Sequence, residues 1–306
     1  MKDNQYMLNN YKMIAQKFQE EGNIFQTLKF YEKAYQTHGG AEDIELLLSM
    51  GLLYDELEDY PLAKKKYEEV LQINPKEARG YYSLAILYDQ QKDYDTAIYY
   101  YKKAIEMDPY YEKAYFFLAN VYDELEEKEK AIEYYQKSIS LNTEDFWAYV
   151  NLGSIYEELD KNGQALIMME KALEIDPTNY KALFNMGVIL KKLERVEESI
   201  HYYMKSIQYN QDYPYGFLNL AVLYKEQKEY TMALDVISQG IIYNKNVAVL
   251  FYNRACLHVY CHNKEKALRD LIRATELSPS LIQYMKKDHE LDLLRDLEAY
   301  QMMFER

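Results

Sequence analysis

Hydrophobic residues between positions 78 and 111 recur with helical spacing in two separate runs. The first run lies at positions i, i+3, i+4 and i+7: Tyr81, Leu84, Ala85 and Tyr88. The second run is a stripe of small and aromatic residues: Ala97, Tyr101 and Ala104. Each run covers one face of an α-helix, and the polar sequence QKD at 91–93 separates them. The pattern therefore predicts two helices that pack through small residues, with Asp108-Pro109 ending the second.

This pattern repeats along the chain with a period of 34 residues. The small residue of the first run recurs as Ala15, Gly51, Ala85, Ala119, Gly153, Gly187, Ala221 and Ala255. A second small residue lies twelve places after each of these: Thr27, Ala63, Ala97, Ala131, Ala165, Ser199, Ala233 and Ala267. Only the first interval of the first series differs, at 36 residues, so two extra residues lie near 39–43. A fixed period of this length indicates an array of stacked repeats.

The period divides residues 1–281 into about eight two-helix units. Their predicted bounds are 8–41, 44–77, 78–111, 112–145, 146–179, 180–213, 214–247 and 248–281. No Gly/Ser/Pro-rich linker interrupts the array, so the sequence predicts no domain boundary inside it. Residues 282–306 form one more amphipathic segment, which we expect to be a capping helix that covers the last hydrophobic face.

The recurring aromatic, Leu, Gly/Ala and Pro positions resemble the tetratricopeptide repeat over nearly the whole chain. The resemblance implies an all-α fold, an α-solenoid in which helical hairpins form a right-handed superhelix. It also implies that the first helix of each hairpin lines a concave groove, through positions 2, 5, 6, 9, 12 and 13 of each unit. Departures from the pattern include Leu190 and His258, which replace the usual Tyr.

Position 6 carries an amide in four consecutive units: Asn151, Asn185, Asn219 and Asn253. Because an Asn side chain both donates and accepts, this Asn ladder is suited to pairing with the backbone of an extended peptide. Aromatic residues at positions 2 and 5 would add pockets: Tyr82, Phe116, Trp147, Phe184, Tyr215 and Tyr252. The alternative is that the amides only form a polar helix face that is solvated by water.

Position 12 changes its charge along the chain. It is acidic in four units, at Asp55, Asp89, Asp123 and Glu157, and basic in the next two, at Lys191 and Lys225. Lys181 adds a further positive charge at position 2. The acidic row favours a basic ligand segment, whereas the lysines suit an acidic side chain or a terminal carboxylate. A row of charges that is merely solvated is the alternative.

The overall charge limits the classes of molecule that the protein is expected to bind. With 36 Lys and Arg against 50 Asp and Glu, the formal net charge is −14, which disfavours nucleic acid and anionic membranes. Two cysteines among 306 residues are no disulfide framework, and the sequence offers no secretion signal or long apolar run. We therefore expect a cytoplasmic protein that is a monomer, with self-association through the ends of the array as an alternative.

The sequence contains few residues in patterns typical of catalytic, cofactor-binding or metal-binding sites. The sequence contains no Gly-rich phosphate loop, GxSxG elbow or HExxH motif, so no enzyme and no cofactor are predicted. The segment 256–262 groups Cys256, His258, Cys261 and His262, but the spacing lacks a closed set of four metal ligands, and no metal site is predicted. The sequence predicts instead a non-catalytic scaffold or adaptor that binds an extended peptide or partner helix in its groove. The alternative is a regulatory or stabilising subunit that acts through its convex surface or ends.

Overall fold

The computed structural model describes residues 2–304 of the chain, with side chains for residues 6–302. Residue 1 of the predicted array and residues 305–306 of the predicted cap lie outside the described residues. The α-helices of the repeats are α1 (Lys2–Glu20), α2 (Ile24–Tyr35), α3 (Ile44–Glu56), α4 (Tyr60–Ile73), α5 (Ala78–Gln90), α6 (Tyr94–Met107), α7 (Glu112–Glu124), α8 (Lys128–Leu141), α9 (Phe146–Glu158), α10 (Asn162–Ile175), α11 (Tyr180–Lys192), α12 (Val196–Tyr209), α13 (Pro214–Glu226), α14 (Tyr230–Tyr243), α15 (Ala248–Tyr260) and α16 (Lys264–Leu277). No strand occurs within residues 2–304, which confirms the predicted all-α class.

Consecutive helices pack in pairs, as the period predicts. The pairs with extensive contacts include α1 with α2, α5 with α6, α11 with α12, and α15 with α16. The fold is therefore a solenoid of helical hairpins. Contacts group the chain into two compact units, residues 1–148 and 149–306, each of which is described by itself. The two extra residues of the first interval belong to a short 3₁₀ helix, Gly40–Glu42. No helix of the described residues combines the length and apolarity needed to cross a membrane.

Small residues lie where the two helices of a hairpin approach most closely. Every member of the two small-residue series is buried. At Gly187 an added Cβ would lie 2.7 Å from the ring of Tyr203, so this close approach of α11 and α12 requires glycine. Ser199 adds a hydrogen bond across the same pair, donating its hydroxyl to the carbonyl of Gly187 at 2.7 Å. The predicted packing stripes are confirmed.

Each hairpin turn uses one residue in the left-handed backbone conformation. In the first hairpin it is Gly22, with φ of 71°. The later turns use residues with side chains, at φ between 54° and 64°: Glu58, Lys92, Glu126, Asp160, Glu194, Lys228 and His262. The next residue donates its N–H to the carbonyl five residues earlier, as Asp93 does to Tyr88 at 3.0 Å. This Schellman arrangement satisfies a terminal carbonyl of the first helix and fixes where the second begins.

The C-terminal segment is not the single helix that the sequence predicts. It consists of the short helix α17 (Leu281–Met285), a 3₁₀ helix (His289–Leu294) and α18 (Glu298–Phe304). Its apolar residues recur every three positions, at Leu291, Leu294, Leu297 and Tyr300, which is the period of a 3₁₀ helix. Leu291 and Leu294 are fully buried in one cluster with residues of α15. The segment therefore does cover the last hairpin, in three short pieces.

Candidate functional site

The Asn ladder lies on the first helices α9, α11, α13 and α15, and all four side chains are half-buried. The Nδ2 of Asn185 donates to the hydroxyl of Ser154 at 3.3 Å. Asn253 donates instead to the carbonyl of Val249 in its own helix, at 2.8 Å. Each of these bonds uses one of the several donors and acceptors that an amide offers. Asn185 and Asn253 therefore already have local hydrogen-bond partners. Peptide binding by the Asn ladder stays a prediction.

Asn219 contacts the preceding hairpin. Its side chain lies near the hydroxyl of Tyr203, which is buried in α12. Burial raises the pKa of Tyr203, and the nearby polar side chains of Asn219 and Ser199 oppose that rise. The amide of Asn219 thus lies beside a core tyrosine and is itself half-buried.

Asn185 has a different neighbour from Asn219, because Met169 replaces the tyrosine of the preceding hairpin. Tyr67, Tyr101, Tyr135 and Tyr203 fill the corresponding place in other hairpins and are all buried. Beside Met169 there is a pocket of about 200 Å³. Its lining combines apolar and polar side chains: Ser154, Glu157, Met169, Phe184, Asn185, Val188 and Ile189. Two of the predicted groove residues and one of the acidic row therefore meet at one pocket.

An aromatic cluster lies next to this pocket in residues 149–306. Phe184 contacts Tyr203 at 5.6 Å between ring centroids and Tyr213 at 5.3 Å. Tyr213 in turn packs against Tyr215 at 5.4 Å, and Tyr215 is 51% exposed. Burial is the main cause that raises the pKa of Tyr213. The cluster offers an apolar surface that is partly open to solvent.

A second aromatic cluster lies in residues 1–148. Tyr82 contacts Tyr111 at 5.0 Å and Phe117 at 6.0 Å. Phe116 packs against Phe117 at 5.1 Å and against Tyr135 at 5.9 Å. Further along the same unit, Trp147 is 47% exposed and packs on Phe146.

Sequence reasoning missed Tyr111 and Tyr213. Each is the closing residue of its predicted unit, and the two lie three periods apart. Each packs on the aromatic residue at position 5 of its own unit, Tyr82 or Phe184. A comparison of the last position of every unit would have found them.

The acidic row divides into two kinds of residue. Burial raises the pKa of Asp55 and of Asp89, and Tyr101 donates its hydroxyl to Asp89 at 3.1 Å. Asp123 instead accepts from the ammonium of Lys128 at 2.8 Å. In residues 149–306, Glu157 pairs with Lys192 at 2.6 Å. The row therefore carries two desolvated carboxyls and two that are paired with lysines.

The predicted lysines also differ in their surroundings. Lys181 is exposed, whereas Lys191 pairs with Glu226 at 2.7 Å. Lys225 pairs with Glu290 of the C-terminal segment at 2.8 Å. The same segment covers Tyr252, which is 7% exposed and donates its hydroxyl to Asp288. The segment thus occupies the place at Tyr252 and Lys225 where a ligand was expected, and their role in binding stays a prediction.

The cysteine and histidine residues of segment 256–262 point to different surroundings. Cys256 is buried beside Asp288, whereas Nε2 of His258 lies 3.8 Å from Asp270. The thiol of Cys256 and the carboxylates of Asp288 and Glu290 lie within 4.8 Å of one another, which is a possible metal-binding group. Burial raises the pKa of Cys256 to about 12, and Lys225 already pairs with Glu290. A metal ion there would have to displace a thiol proton and an ammonium group.

Comparisons with solved structures find helical-repeat proteins. A tetratricopeptide repeat protein from Parabacteroides merdae is 20% identical over 82% of this chain and 97% of its own, with a TM-score of 0.58. The protein pilF of Pseudomonas aeruginosa is 20% identical over 69% of this chain and 96% of its own, with a TM-score of 0.57. YrrB, a TPR protein described as having an unusual peptide-binding site, is 26% identical over 61% of this chain and 98% of its own, with a TM-score of 0.48. No curated protein matches the chain in a sequence search.

Family models match the chain repeatedly over the middle of the array. Three models match, and each is described as tetratricopeptide repeat. The first matches residues 78–111, the second matches 44–77, 112–145 and 148–179, and the third matches 168–201. Four of these matched ranges lie in register with units that the 34-residue period predicts. With its helical hairpins and its buried small residues at the repeat positions, the chain belongs to the tetratricopeptide repeat family.

Proposed function

We propose that this protein is a non-catalytic interaction scaffold that holds an extended peptide along the first helices of residues 149–306. The observation that carries the proposal is the pocket beside Met169, where Asn185 and Phe184 lie together. Membership of the family supports a role in protein interaction in general. The pocket supports the proposal that a peptide binds at α9, α10 and α11.

The pocket is suited to one side chain of a bound peptide. Its apolar wall consists of Met169, Phe184 and Val188, while Ser154 and Asn185 supply polar groups at its edge. An extended peptide presents a backbone N–H and C=O at every residue, which a half-buried amide is able to pair with. A medium-sized apolar side chain would enter the pocket while Asn185 pairs with the peptide backbone.

Neighbouring residues extend this surface on both sides along the ladder. Tyr215 presents half of its area to solvent on α13, and Lys181 is exposed on α11. Aromatic side chains of this kind give large contact area at low entropic cost, because few torsions are fixed on binding. Lys181 would favour a carboxylate in the peptide by charge attraction.

For residues 1–148 we propose a second binding surface, selective for basic residues. Oδ1 of Asp55 is buried and has no hydrogen-bond partner within the described residues. A lysine or arginine of a ligand beside this carboxyl would lower the pKa that burial has raised. Aromatic residues at Tyr82 and Phe116 lie on the first helices of the next two hairpins.

The test is a screen of a random peptide library against the purified chain, followed by fluorescence polarisation with the selected peptides. The groove variant carries Asn151→Ala, Asn185→Ala and Asn219→Ala. A matched control carries three amide-to-alanine changes at exposed positions of second helices: Gln164→Ala, Gln208→Ala and Gln239→Ala. We expect the groove variant to lose binding and the control to keep it, with circular dichroism showing that both are folded.

Two outcomes contradict the proposal. Selected peptides that bind the groove variant as tightly as the unchanged chain would show that the ladder is not the binding surface. Equal loss in both variants would show that the amides act only through a general effect. A cytoplasmic location, with both Cys256 and Cys261 free, is part of the same proposal.

A further inference from the structure

A pocket with a positive lining lies between α14, α15 and α16, apart from the groove residues. It has a volume of about 380 Å³ and is lined by Ser238, Arg254, His258, Lys266, Arg269 and Asp270. Three of the six side chains are cationic and one is a carboxylate. The chain as a whole carries a net charge of −14, so a local excess of positive charge is unusual on it.

Asp270 fixes the guanidinium of Arg254. Nε and Nη2 of Arg254 donate to the two carboxylate oxygens of Asp270, both at 2.7 Å, in a bidentate pair. Nη1 donates to the hydroxyl of Ser238 at 3.4 Å. A guanidinium has five N–H groups, so two remain for a ligand in the pocket that Arg254 lines. Asp270 is thus satisfied by Arg254, and its charge is cancelled there.

Lys266 and Arg269 supply charge that is not cancelled. Both are exposed on α16, one turn apart on the side that faces the pocket. Arg269 donates Nε to the backbone carbonyl of Glu265 at 3.5 Å, and neither residue forms an ion pair with a carboxylate in the described part of the chain. Two exposed cations in the lining, together with a guanidinium held by Asp270, are an arrangement suited to a multivalent anion.

His258 lines the same pocket and reports on its charge. Burial lowers the pKa of His258; the nearby Asp270 acts to raise it, and the positive charges of Arg254, Lys266 and Arg269 act to lower it. An anion bound among these cations would oppose their effect. The imidazole would then take up a proton more readily when the pocket is filled.

We propose that the pocket between α14, α15 and α16 binds a phosphomonoester group. The guanidinium of Arg254 and the hydroxyl of Ser238 would donate to phosphate oxygens, and Lys266 and Arg269 would close over the dianion. Phosphate fits better than a carboxylate, because it has three terminal oxygens to share among donors on three helices. The phosphate would belong to a small phosphorylated molecule or to a phosphorylated residue of a peptide.

The experiment uses the full chain and three probes: inorganic phosphate, a short blocked phosphoserine peptide, and the same peptide with unmodified serine. Binding is followed by calorimetry and by NMR titration of the His258 imidazole. We expect phosphate to bind and to raise the pKa of His258. A phosphopeptide that binds more tightly than phosphate identifies a peptide source, and equal affinity identifies a small-molecule source.

The variant Lys266→Ala/Arg269→Ala removes the two cations from exposed positions, so the fold should persist. Lys264→Ala/Arg273→Ala is the matched control, because it removes the same residue types from exposed positions of the same helix outside the pocket. We expect the first variant to lose at least about tenfold in affinity for phosphate and the control to lose little. The proposal is overturned if neither phosphate nor the phosphopeptide binds, if the serine peptide binds as well as the phosphopeptide, or if both variants lose affinity equally.

Discussion

Lys225 on α13 pairs with Glu290, 65 residues further along the chain, at 2.8 Å. The same C-terminal segment accepts a hydrogen bond at Asp288 from Tyr252 on α15. Its carboxylates therefore lie against first-helix residues of the last two hairpins, where sequence analysis predicts a ligand. The segment both covers apolar residues of the last hairpin and pairs with polar groups on α13 and α15.

Burial, and not the ion pair, is expected to hold this segment in place. Leu291→Ala removes a fully buried side chain and should cost about 2–5 kcal/mol of local stability. Glu290→Gln breaks a partly exposed ion pair and should cost less than about 1 kcal/mol. Hydrogen exchange of residues 281–304 measures both effects.

Leu293→Ala is the control for that experiment, since Leu293 is in the same 3₁₀ helix but 54% exposed. It should leave exchange unchanged. Equal loss of protection in Leu291→Ala and Leu293→Ala would mean that burial in the cluster does not hold the segment.

The packing of the hairpins was the most predictable part of the structure, because it depends on residue size at fixed spacing. Gly187 against Tyr203 is an example: an added methyl group would meet a rigid, buried ring at 2.7 Å. The period alone places a small residue and a large one at these positions. What the sequence does not show is how tightly each pair of helices closes.

Gly187→Ala tests this packing. The clash should outweigh the gain in helix propensity, for a net loss of about 1–2 kcal/mol in unfolding free energy. Gly163→Ala is the control, because a Cβ there meets nothing within 4 Å and should stabilise the chain by up to about 1 kcal/mol. Urea unfolding followed by circular dichroism measures both, and a gain for Gly187→Ala would contradict the tight approach.

The hairpin turns were beyond sequence prediction. Glu194, Lys228 and His262 occupy the same left-handed position of successive turns, yet they share no side-chain property that marks it. The turn is fixed by the backbone hydrogen bonds of the helix end, which any residue makes. Gly22, in the first hairpin, is the one glycine at this position of the hairpin turns.

Lys228→Gly should therefore stabilise the chain. The left-handed conformation strains a residue that has a Cβ by about 1 kcal/mol. Relief of that strain should raise the free energy of unfolding by about 0.5–1 kcal/mol. Lys228→Ala removes the same charge but keeps the Cβ, and should give no such gain. Thermal unfolding distinguishes the two, and identical melting temperatures would show that φ of 64° carries no strain here.

The repeat register predicts the helix on which each candidate site residue lies, but it does not predict what that residue contacts. The four amides do lie on first helices, as the repeat register implies. The position of Asn219 near Tyr203 depends on the neighbouring hairpin, and the pocket beside Asn185 lies where Met169 replaces the usual tyrosine. The burial of Tyr252 depends on the C-terminal segment, where Asp288 accepts the hydrogen bond of its hydroxyl. Such contacts lie outside the repeat pattern, so periodicity does not reveal them.

The two cysteines should differ sharply in reactivity. Cys256 is 1% exposed, and burial raises its pKa to about 12, so its thiol stays protonated between pH 7 and 9. Cys261 is exposed and should react with an aromatic disulfide reagent in the native chain. We expect one reactive thiol in the native chain and two in denaturant.

The variant Cys261→Ser isolates the buried thiol. It should show no fast reaction while folded and one equivalent after unfolding. A fast native reaction of Cys261→Ser would mean that the cluster around Cys256 opens readily.

Asp55→Asn should stabilise the chain at neutral pH. Burial raises the pKa of Asp55 above its ordinary value of 3.8, so the folded state holds the proton more strongly than the unfolded state. The stability from this group is present at low pH and is lost as the pH rises through the raised pKa. An uncharged Asn avoids that loss, so the variant should melt higher than the unchanged chain at pH 7.

The advantage of Asp55→Asn should disappear as the pH falls below about 4, where the unchanged carboxyl is also neutral. Asp123→Asn is the control, because Asp123 is paired with Lys128 at 2.8 Å and its loss should lower the melting temperature slightly at pH 7. Opposite signs for the two variants at pH 7 are therefore expected from residues at the same repeat position. A lower melting temperature for Asp55→Asn at pH 7 would mean that its carboxylate is stabilised by groups beyond Gln90, and it would remove the main support for a basic ligand at this surface.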